Sequence, residues 1–308
     1  MKRFVLPLIA AAAVALPFAA MAELPPDVAA EIVKMGHVND PRTSKVLAPL
    51  HKPLPADLKI MRDLEFGKDP LQKLDVFTSG TGTGKPILIY VHGGGFTRGD
   101  KHRPGEFMYD NVMAWAVQNG MVGAQINYRL APKNVYPDAN DDVAAGVKYV
   151  RDHAREYGGD PNKIVVWGHS AGASLVGIFV SHPEFLQASG GTLAAAIMTS
   201  GGYEFKNKHV YLGDDPAKLA ERSSVEGLKT TNIPLLFTRA EYDPPGQTQQ
   251  GDMINKVLCD AGKCPAFRVM NGHNHMSQVF SINTSATEMG DFLLPFIRQH
   301  TGLQSASN

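Results

Sequence analysis

The apolar residues of this chain fall into short runs that are separated by polar stretches and by glycine and proline. Uncharged runs rich in β-branched residues predict strands, and apolar residues three or four positions apart predict helices. The predicted strands are 58–66, 72–77, 86–91, 121–128, 164–167, 193–199, 233–238 and 267–270. The predicted helices are 27–35, 43–50, 106–118, 140–157, 173–180 and 285–300, with one more that ends near residue 259.

Strands and helices alternate from residue 86 onward. This alternation is typical of an α/β domain in which a mostly parallel sheet has helices on both faces and the functional residues lie at the carboxyl ends of the strands. Residues 58–308 are therefore predicted to form one such domain. Residues 23–57 contain many prolines, which limit helices to short pieces, so we expect an N-terminal helical arm that packs over the domain.

The first 22 residues have the pattern of a secretory signal peptide. Two basic residues precede an unbroken apolar run over 4–20, and small residues follow it just before Glu23. We expect cleavage after Ala22 and a periplasmic or secreted mature protein, with an uncleaved membrane anchor as the alternative. No later stretch is apolar for long enough to cross a bilayer, so no stable membrane insertion is expected after cleavage.

Charge and cysteine content narrow the class of function. The chain has 30 lysines and arginines and 30 aspartates and glutamates, so no basic surface for nucleic acid is indicated. Its two cysteines, Cys259 and Cys264, lie close together near the end of a predicted helix. In an oxidising compartment this spacing predicts a local disulfide, and two free thiols are the alternative.

Residues 168–172 read Gly-His-Ser-Ala-Gly and stand between a buried strand and a helix of small residues. Strand, G-x-S-x-G and helix together form a nucleophile elbow, a turn so tight that only glycine fits beside it and that exposes the serine hydroxyl. This arrangement predicts Ser170 as a nucleophile. An ordinary strand–helix turn whose serine caps the helix is the alternative.

A run of three glycines, in the sequence HGGGF at 92–96, follows another predicted strand. Glycines at this place let the backbone approach a substrate closely and direct N–H groups at one point. We therefore predict an oxyanion hole from the amides of Gly94 and Gly95, joined by that of Ala171 directly after the serine. A flexible turn is the alternative.

Candidates for the acid and the base follow the last two strands. Asp243 is the predicted acid and Glu241 the second candidate, although Asp243 could instead cap the helix that Pro244 begins. His275 is the predicted base and His273 the reserve, because histidine accepts and returns protons near neutral pH. Two histidines at this spacing could suggest a metal site, but no third ligand stands at a convincing spacing. The sequence predicts neither a metal nor a cofactor.

Several of these motifs together resemble the hormone-sensitive-lipase-like branch of the α/β-hydrolases. They are HGGGF, NYRLAP at 127–132, Tyr-Pro at 136–137, Asp-Asp-Val at 141–143 and GHSAG. The strand sequences at 64–67 and 72–76 and His-Met-Ser at 275–277 are similar to the feruloyl-esterase-like (BD-FAE) and kynurenine-formamidase-like members. The resemblance covers the chain from about residue 58 and implies an α/β-hydrolase fold.

The resemblance also implies roles for individual residues. In that family the elbow serine, the aspartate of an Asp-Pro pair and the later histidine form a triad, which corresponds to Ser170, Asp243 and His275. Pro245 departs from the pattern, because many lipase-like relatives have leucine there.

The implied function is an exported serine carboxylesterase that hydrolyses small carboxylic esters through an acyl-enzyme intermediate. An arylformamidase or other amidase, a peptidase and a non-catalytic binding member of the same fold are the alternatives. Residues 203–231 are too long for a simple turn, so we expect them to form, with the arm, a wall of the substrate pocket. A surface insertion is the alternative for this segment.

Overall fold

The computed structural model describes residues 23–38 and 40–304, and its strands form a single eight-stranded sheet. The predicted signal peptide lies outside the described residues. The strands are β1 (Leu58–Glu65), β2 (Lys73–Ser79), β3 (Lys85–Val91), β4 (Val122–Ile126), β5 (Gly159–His169), β6 (Ala195–Thr199), β7 (Leu235–Tyr242) and β8 (Ala266–Asn274).

Helices connect and cover these strands. They are α1 (Pro26–Met35), α2 (Asp40–Leu47), α3 (Asp110–Gln118), α4 (Asp138–Asp152), α5 (Ala171–Ser181), α6 (Pro183–Ala188), α7 (Pro216–Arg222), α8 (Val225–Thr230), α9 (Pro245–Asp260), α10 (Ser277–Phe280) and α11 (Glu288–Thr301), with a short 3-10 helix at Ala48–Leu50. In the described part of the chain, none of them combines the length and the apolar character that a membrane crossing requires.

The order of strands in the sheet is β1-β2-β4-β3-β5-β6-β7-β8. The pairs β1–β2 and β2–β4 are antiparallel, and every other neighbouring pair is parallel. Parallel neighbours need a long crossover connection, which the helices provide. The predicted mostly parallel sheet is therefore confirmed, and its parallel strands bring several carboxyl ends to one edge.

The sheet separates two apolar layers because successive side chains of a strand point to opposite faces. In β3, Ile87 and Ile89 pack with the buried faces of α4, α5 and α9. Leu88 and Tyr90, between and after them, pack on the other face with α3 and α11. Strands buried on both faces lack the polar alternation of a half-exposed strand, which is why β3 and β5 appear in the sequence as continuous apolar runs.

Some helix boundaries differ from those predicted by the hydrophobic pattern. Helix α3 begins at Asp110 and not at residue 106, because Tyr109 has a left-handed backbone conformation with φ 45°. Helix α4 ends at Asp152 and not at residue 157, and turns follow it up to Gly158, whose φ is 80°. Apolar residues continue beyond both boundaries, so the pattern alone gave no signal for them.

Residues 26–50 pack beside the last strand of the sheet. Helix α1 lies against β8 and α2 against α10, with Ile32 and Leu47 fully buried. The turn between the two helices reaches the loop after β8, where the carbonyl of His37 accepts a 3.0 Å hydrogen bond from the N–H of His275. This segment therefore contacts the main chain of a predicted site residue directly.

A disulfide joins Cys259, in the last turn of α9, to Cys264, just before β8. The predicted pairing is thus confirmed. Because so short a loop restricts the unfolded chain little, the bond chiefly fixes the turn between α9 and β8.

Candidate active site

Ser170 lies in the turn between β5 and α5 with φ 57° and ψ −122°, a strained conformation for a residue with a side chain. A Cβ at Gly168 would overlap the carbonyl of Gly172, and a Cβ at Gly172 would overlap the carbonyl of Val91. Only glycine therefore fits at the two flanking positions. Although Ser170 precedes α5, its side chain does not cap that helix.

The side chains of Ser170, His275 and Asp243 form a continuous hydrogen-bonded line. The Ser170 hydroxyl lies 2.8 Å from Nε2 of His275, and Nδ1 of His275 lies 2.7 Å from Oδ1 of Asp243. Because a carboxylate only accepts, Nδ1 carries the proton and Nε2 accepts from the serine. The structure thus brings together the predicted nucleophile, base and acid in the arrangement that proton removal from serine requires.

The two reserve candidates lie elsewhere. Glu241 is exposed and accepts a 2.8 Å hydrogen bond from the N–H of Gly272. His273 is buried with Nδ1 3.0 Å from the hydroxyl of Ser277, and burial lowers its pKa to about 4. Neither side chain is part of the line that starts at Ser170.

Asp243 is buried, and its second oxygen is also engaged. Oδ2 accepts hydrogen bonds from the Ser200 hydroxyl at 2.5 Å and from the N–H of Ala240 at 2.9 Å. The side chain does not cap α9. These contacts hold the carboxylate so that Oδ1 faces His275, which accounts for Asp243 without the capping role.

Ser200 and Gln278 also belong to the site, and neither was predicted from the sequence. Nε2 of Gln278 donates to the Ser200 hydroxyl at 2.6 Å and to the carbonyl of His275 at 3.3 Å. Gln278 therefore connects Ser200, which holds the acid Asp243, to the backbone of the base His275. The signal for Ser200 was its position directly after β6, at the carboxyl end of a strand beside β5. Gln278 had no such signal, because its role depends on a short helix that turns back towards β6.

His169 supports the base through the main chain. Its ring is fully buried, and Nε2–H donates to the carbonyl of His275 at 2.8 Å. Burial lowers the pKa of His169 well below its usual value, so the ring is neutral and Nε2 keeps its proton. Three groups therefore hold the backbone of His275: His169 and Gln278 at its carbonyl and His37 at its N–H.

Gly94 and Gly95 lie on the wall of the same cavity as Ser170 and His275. Both have positive φ, 126° and 63°, and a Cβ at Gly94 would overlap the carbonyl of Arg98. Within residues 23–38 and 40–304, no carbonyl accepts from the N–H of either glycine. Ala171 is the first residue of α5, where helix N–H groups lack partners within the helix. These three amides thus lie near Ser170 with N–H groups that are available to donate hydrogen bonds to a substrate.

The histidine before the glycines anchors their loop. His92 is buried, its ring stacks on Tyr128 with 4.4 Å between centroids, and its carbonyl accepts from the Tyr128 hydroxyl at 2.9 Å. Burial lowers the pKa of His92 to about 4, so this ring is also neutral. The base of the glycine loop is therefore fixed by ring stacking and by buried hydrogen bonds.

The cavity around Ser170 has a volume of about 220 Å³. Its wall includes Val38 of the arm, two arginines and Gln247, and the described lining residues include none from 203–231. The prediction that residues 203–231 form part of this wall is therefore wrong. Tyr211 of that segment packs behind the glycine loop and outside the cavity, where its ring stacks on Phe96 with 5.1 Å between centroids. Among the described residues, no group of three or more His, Cys, Asp or Glu side chains is placed to hold a metal ion.

Comparison with known proteins agrees with the fold and the motifs. Residues 74–182, which span the glycine loop and the elbow, match the BD-FAE family model. The chain is 31% identical over 251 residues to "Probable carboxylic ester hydrolase LipM" of Mycobacterium tuberculosis, covering 75% of this chain and 52% of that protein. It is 30% identical over 210 residues to fumonisin B1 esterase of Sphingopyxis macrogoltabida, covering 60% and 37%. The chain thus spans about half or less of these relatives' lengths.

Solved structures share the fold at low sequence identity. Esterase B from Lactobacillus rhamnosis superposes with a TM-score of 0.70 at 16% identity, covering 90% of this chain and 94% of that one. An esterase described as belonging to the bacterial hormone-sensitive lipase family superposes with a TM-score of 0.63 at 20% identity, covering 90% and 96%. The predicted α/β-hydrolase fold is confirmed.

Proposed function

We propose that this chain is a serine carboxylesterase acting on small esters, within the hormone-sensitive-lipase-like branch of the α/β-hydrolases that its motifs and its relatives indicate. One observation carries the proposal: Ser170, His275 and Asp243 are joined by hydrogen bonds of 2.8 and 2.7 Å beside the amides of Gly94 and Gly95. The carboxylic ester hydrolases among its curated relatives support the same reaction.

The reaction follows from this geometry. Nε2 of His275 takes the proton of Ser170 while Oγ attacks the ester carbonyl, and Asp243 stabilises the imidazolium that forms. The amides of Gly94, Gly95 and Ala171 stabilise the oxyanion, because their dipoles are fixed before charge develops. The imidazolium then protonates the departing alcohol and leaves an acyl-enzyme.

Hydrolysis of the acyl-enzyme repeats these steps with water. His275 removes a proton from water as its oxygen attacks the acyl carbon, and the same amides hold the second oxyanion. Collapse of this intermediate releases the acid, and His275 returns the proton to Ser170. No redox step or cofactor is needed.

We also propose that the protein is exported after cleavage at Ala22. The pattern of residues 1–22 supports export, and so does the disulfide between Cys259 and Cys264, because such bonds persist in oxidising compartments. Intact-mass analysis of the protein secreted by a bacterial host should give a chain that begins at Glu23. Full-length protein confined to the cytoplasm would contradict this part of the proposal.

The variant Ser170→Ala tests the function. It should lower kcat for p-nitrophenyl butyrate by about 10⁴-fold or more, because the nucleophile is gone, while the circular dichroism spectrum stays unchanged. Ser181→Ala is the matched control, since Ser181 ends the same helix and, in the part of the chain that the structure describes, its hydroxyl bonds only with the nearby Ile178 and His182. Wild-type activity in Ser170→Ala would refute the assignment.

A further inference from the structure

The charged side chains on the wall of the catalytic cavity are all positive. Arg98 and Arg103 both line the cavity, and none of its described lining residues is an aspartate or a glutamate. The carboxylate of Asp243 lies behind the ring of His275 and is already bonded to it. A ligand that enters this cavity therefore meets two guanidinium groups and no exposed anion on its wall.

Arg98 differs from several other arginines of the chain in having, among the described residues, no carboxylate beside its guanidinium group. Arg62, Arg129 and Arg239 each contact a carboxylate at 3.3 Å or closer. Arg98 is exposed at the cavity and forms no ion pair with any residue that the structure describes. Arg103 lies 3.7 Å from Glu106, so part of its charge is balanced. The uncompensated charge at the cavity is thus concentrated at Arg98.

The backbone that carries Arg98 is held close to the oxyanion loop. The N–H of Arg98 donates to the carbonyl of Gly94 at 3.2 Å. Further along, Lys101 is buried, with Nζ 2.8 Å from both Asp63 and Asp75. Its N–H also donates to the side chain of Asn127 at 2.6 Å. The segment is therefore fixed at both ends, and Arg98 projects from it at the wall of the cavity that also contains Ser170.

A neutral ester has no group that such an arginine would bind. A guanidinium group matches a carboxylate in shape and charge and can bond to both of its oxygens. We propose that the preferred substrates are esters that also carry a carboxylate group, which Arg98 binds and Arg103 attracts at the cavity. This inference rests on the proposed esterase function and specifies its substrate class.

Two pairs of size-matched esters test the proposal. Mono-p-nitrophenyl glutarate, corrected for its spontaneous hydrolysis, is compared with p-nitrophenyl pentanoate to place the charge on the acyl side. For charge on the alcohol side, 4-acetoxybenzoate is compared with its methyl ester. In at least one pair, kcat/KM should be higher for the charged ester. That preference should weaken as ionic strength rises from about 0.01 to 0.1 M, since the screening length falls from about 30 to 10 Å.

Arginine variants connect the preference to the cavity. Arg98→Gln should lower the ratio of charged-ester to neutral-ester kcat/KM by about fivefold, mainly through KM, because Arg98 is solvent-exposed and its pairing is partly screened. The double variant with Arg103→Gln should lose the preference. Arg155→Gln is the matched control: Arg155 is exposed beside the start of β5, at the opposite edge of the sheet, and its loss should leave the ratio unchanged.

The outcomes separate this inference from the proposed function. Hydrolysis of neutral esters by Ser170 with no charge preference in either pair, or with a preference that Arg98→Gln leaves intact, overturns the inference and leaves the esterase function standing. Failure to hydrolyse any of the four esters, in a folded protein, contradicts both.

Discussion

At the scale of single residues, Asp243 shows how neighbours select one carboxylate over another close by. Glu241 lies near the end of β7 and Asp243 directly follows the strand, but only Asp243 is buried, with Ser200 and the N–H of Ala240 fixing one oxygen. Its other oxygen is then directed at His275. The exposed Glu241 has no comparable support.

We predict that Asp243→Asn lowers kcat by about 10⁴-fold, because an amide at this position no longer holds His275 in the required tautomer or stabilises the imidazolium. Glu241→Gln keeps an oxygen for the N–H of Gly272 and should change kcat by less than about twofold. Steady-state kinetics on p-nitrophenyl butyrate measure both. A larger loss in the Glu241 variant than in the Asp243 variant would reverse the assignment.

Gly172 allows a second prediction, this time about stability. Its Cβ would overlap the carbonyl of Val91, so Gly172→Ala should lower the free energy of unfolding by about 2 kcal/mol or more, as overpacking does. Gly246→Ala is the control, because Gly246 lies in α9 and an added Cβ would meet no atom within 4 Å beyond its chain neighbours and the nearby backbone of its own helix. Alanine there should be neutral or stabilising by up to about 1 kcal/mol. Equal urea midpoints for the two variants would contradict the steric account of the elbow.

At the scale of elements, the loop after β8 depends on the N-terminal helices. The side-chain oxygen of Asn274 accepts from the N–H groups of Met276 and Ser277. Its amide donates at 3.3 Å to the carbonyl of Gly36 and to the hydroxyl of Thr43. The base His275 is thus positioned by a joint between the arm and the sheet.

Asn274→Ala should therefore affect catalysis more than binding. We expect kcat for p-nitrophenyl butyrate to fall by about tenfold or more, because small displacements of a catalytic group are costly, while KM changes little. Asn119→Ala is the control: it also removes a side-chain hydrogen bond, to the carbonyl of Trp115 at the end of α3, away from the loop. A kcat that is unchanged in the Asn274 variant would show that the joint does not position His275.

The elements also show which features of the site the sequence could predict. The elbow and the glycine loop were predictable because each is a local motif directly after a buried strand. The choice of His275 over His273 was less determined, since β8 continues through Asn274 and both histidines follow the same apolar run. The contacts of His37 with His275 and of Gln278 with Ser200 join distant parts of the chain, so no local pattern indicated them. The same reason explains why residues 203–231 were expected on the wall of the cavity, although none of its described lining residues comes from that segment.

At the scale of the whole molecule, stability is linked to pH through buried neutral histidines. Burial lowers the pKa of His92 and His273 to about 4 and that of His169 well below its usual value. In the unfolded chain these groups bind protons below about pH 6.5. The unfolded state then binds more protons than the folded state. The contribution of these histidines to folding stability is therefore full above about pH 6.5 and is lost as the pH falls from there towards 4.

We predict that the free energy of unfolding, measured by urea titration, decreases between pH 7.5 and pH 5. Each of these histidines contributes up to about 1.4 kcal/mol per pH unit below 6.5. His273→Gln should reduce the slope of the free energy of unfolding against pH by the equivalent of about one proton bound on unfolding, because glutamine has no ring that titrates. A free energy of unfolding that is the same at both pH values, or an unchanged slope in the variant, would contradict this linkage.

The central claim is that the hydroxyl of Ser170 becomes the nucleophile when His275 removes its proton. Diethyl p-nitrophenyl phosphate tests it most directly, because attack on phosphorus releases p-nitrophenol and leaves a stable adduct that peptide mass spectrometry can locate. The account predicts one equivalent of p-nitrophenol per chain, an adduct on Ser170, and labelling slowed by orders of magnitude in His275→Ala. No adduct on the folded protein, or an adduct on a different residue, would contradict it.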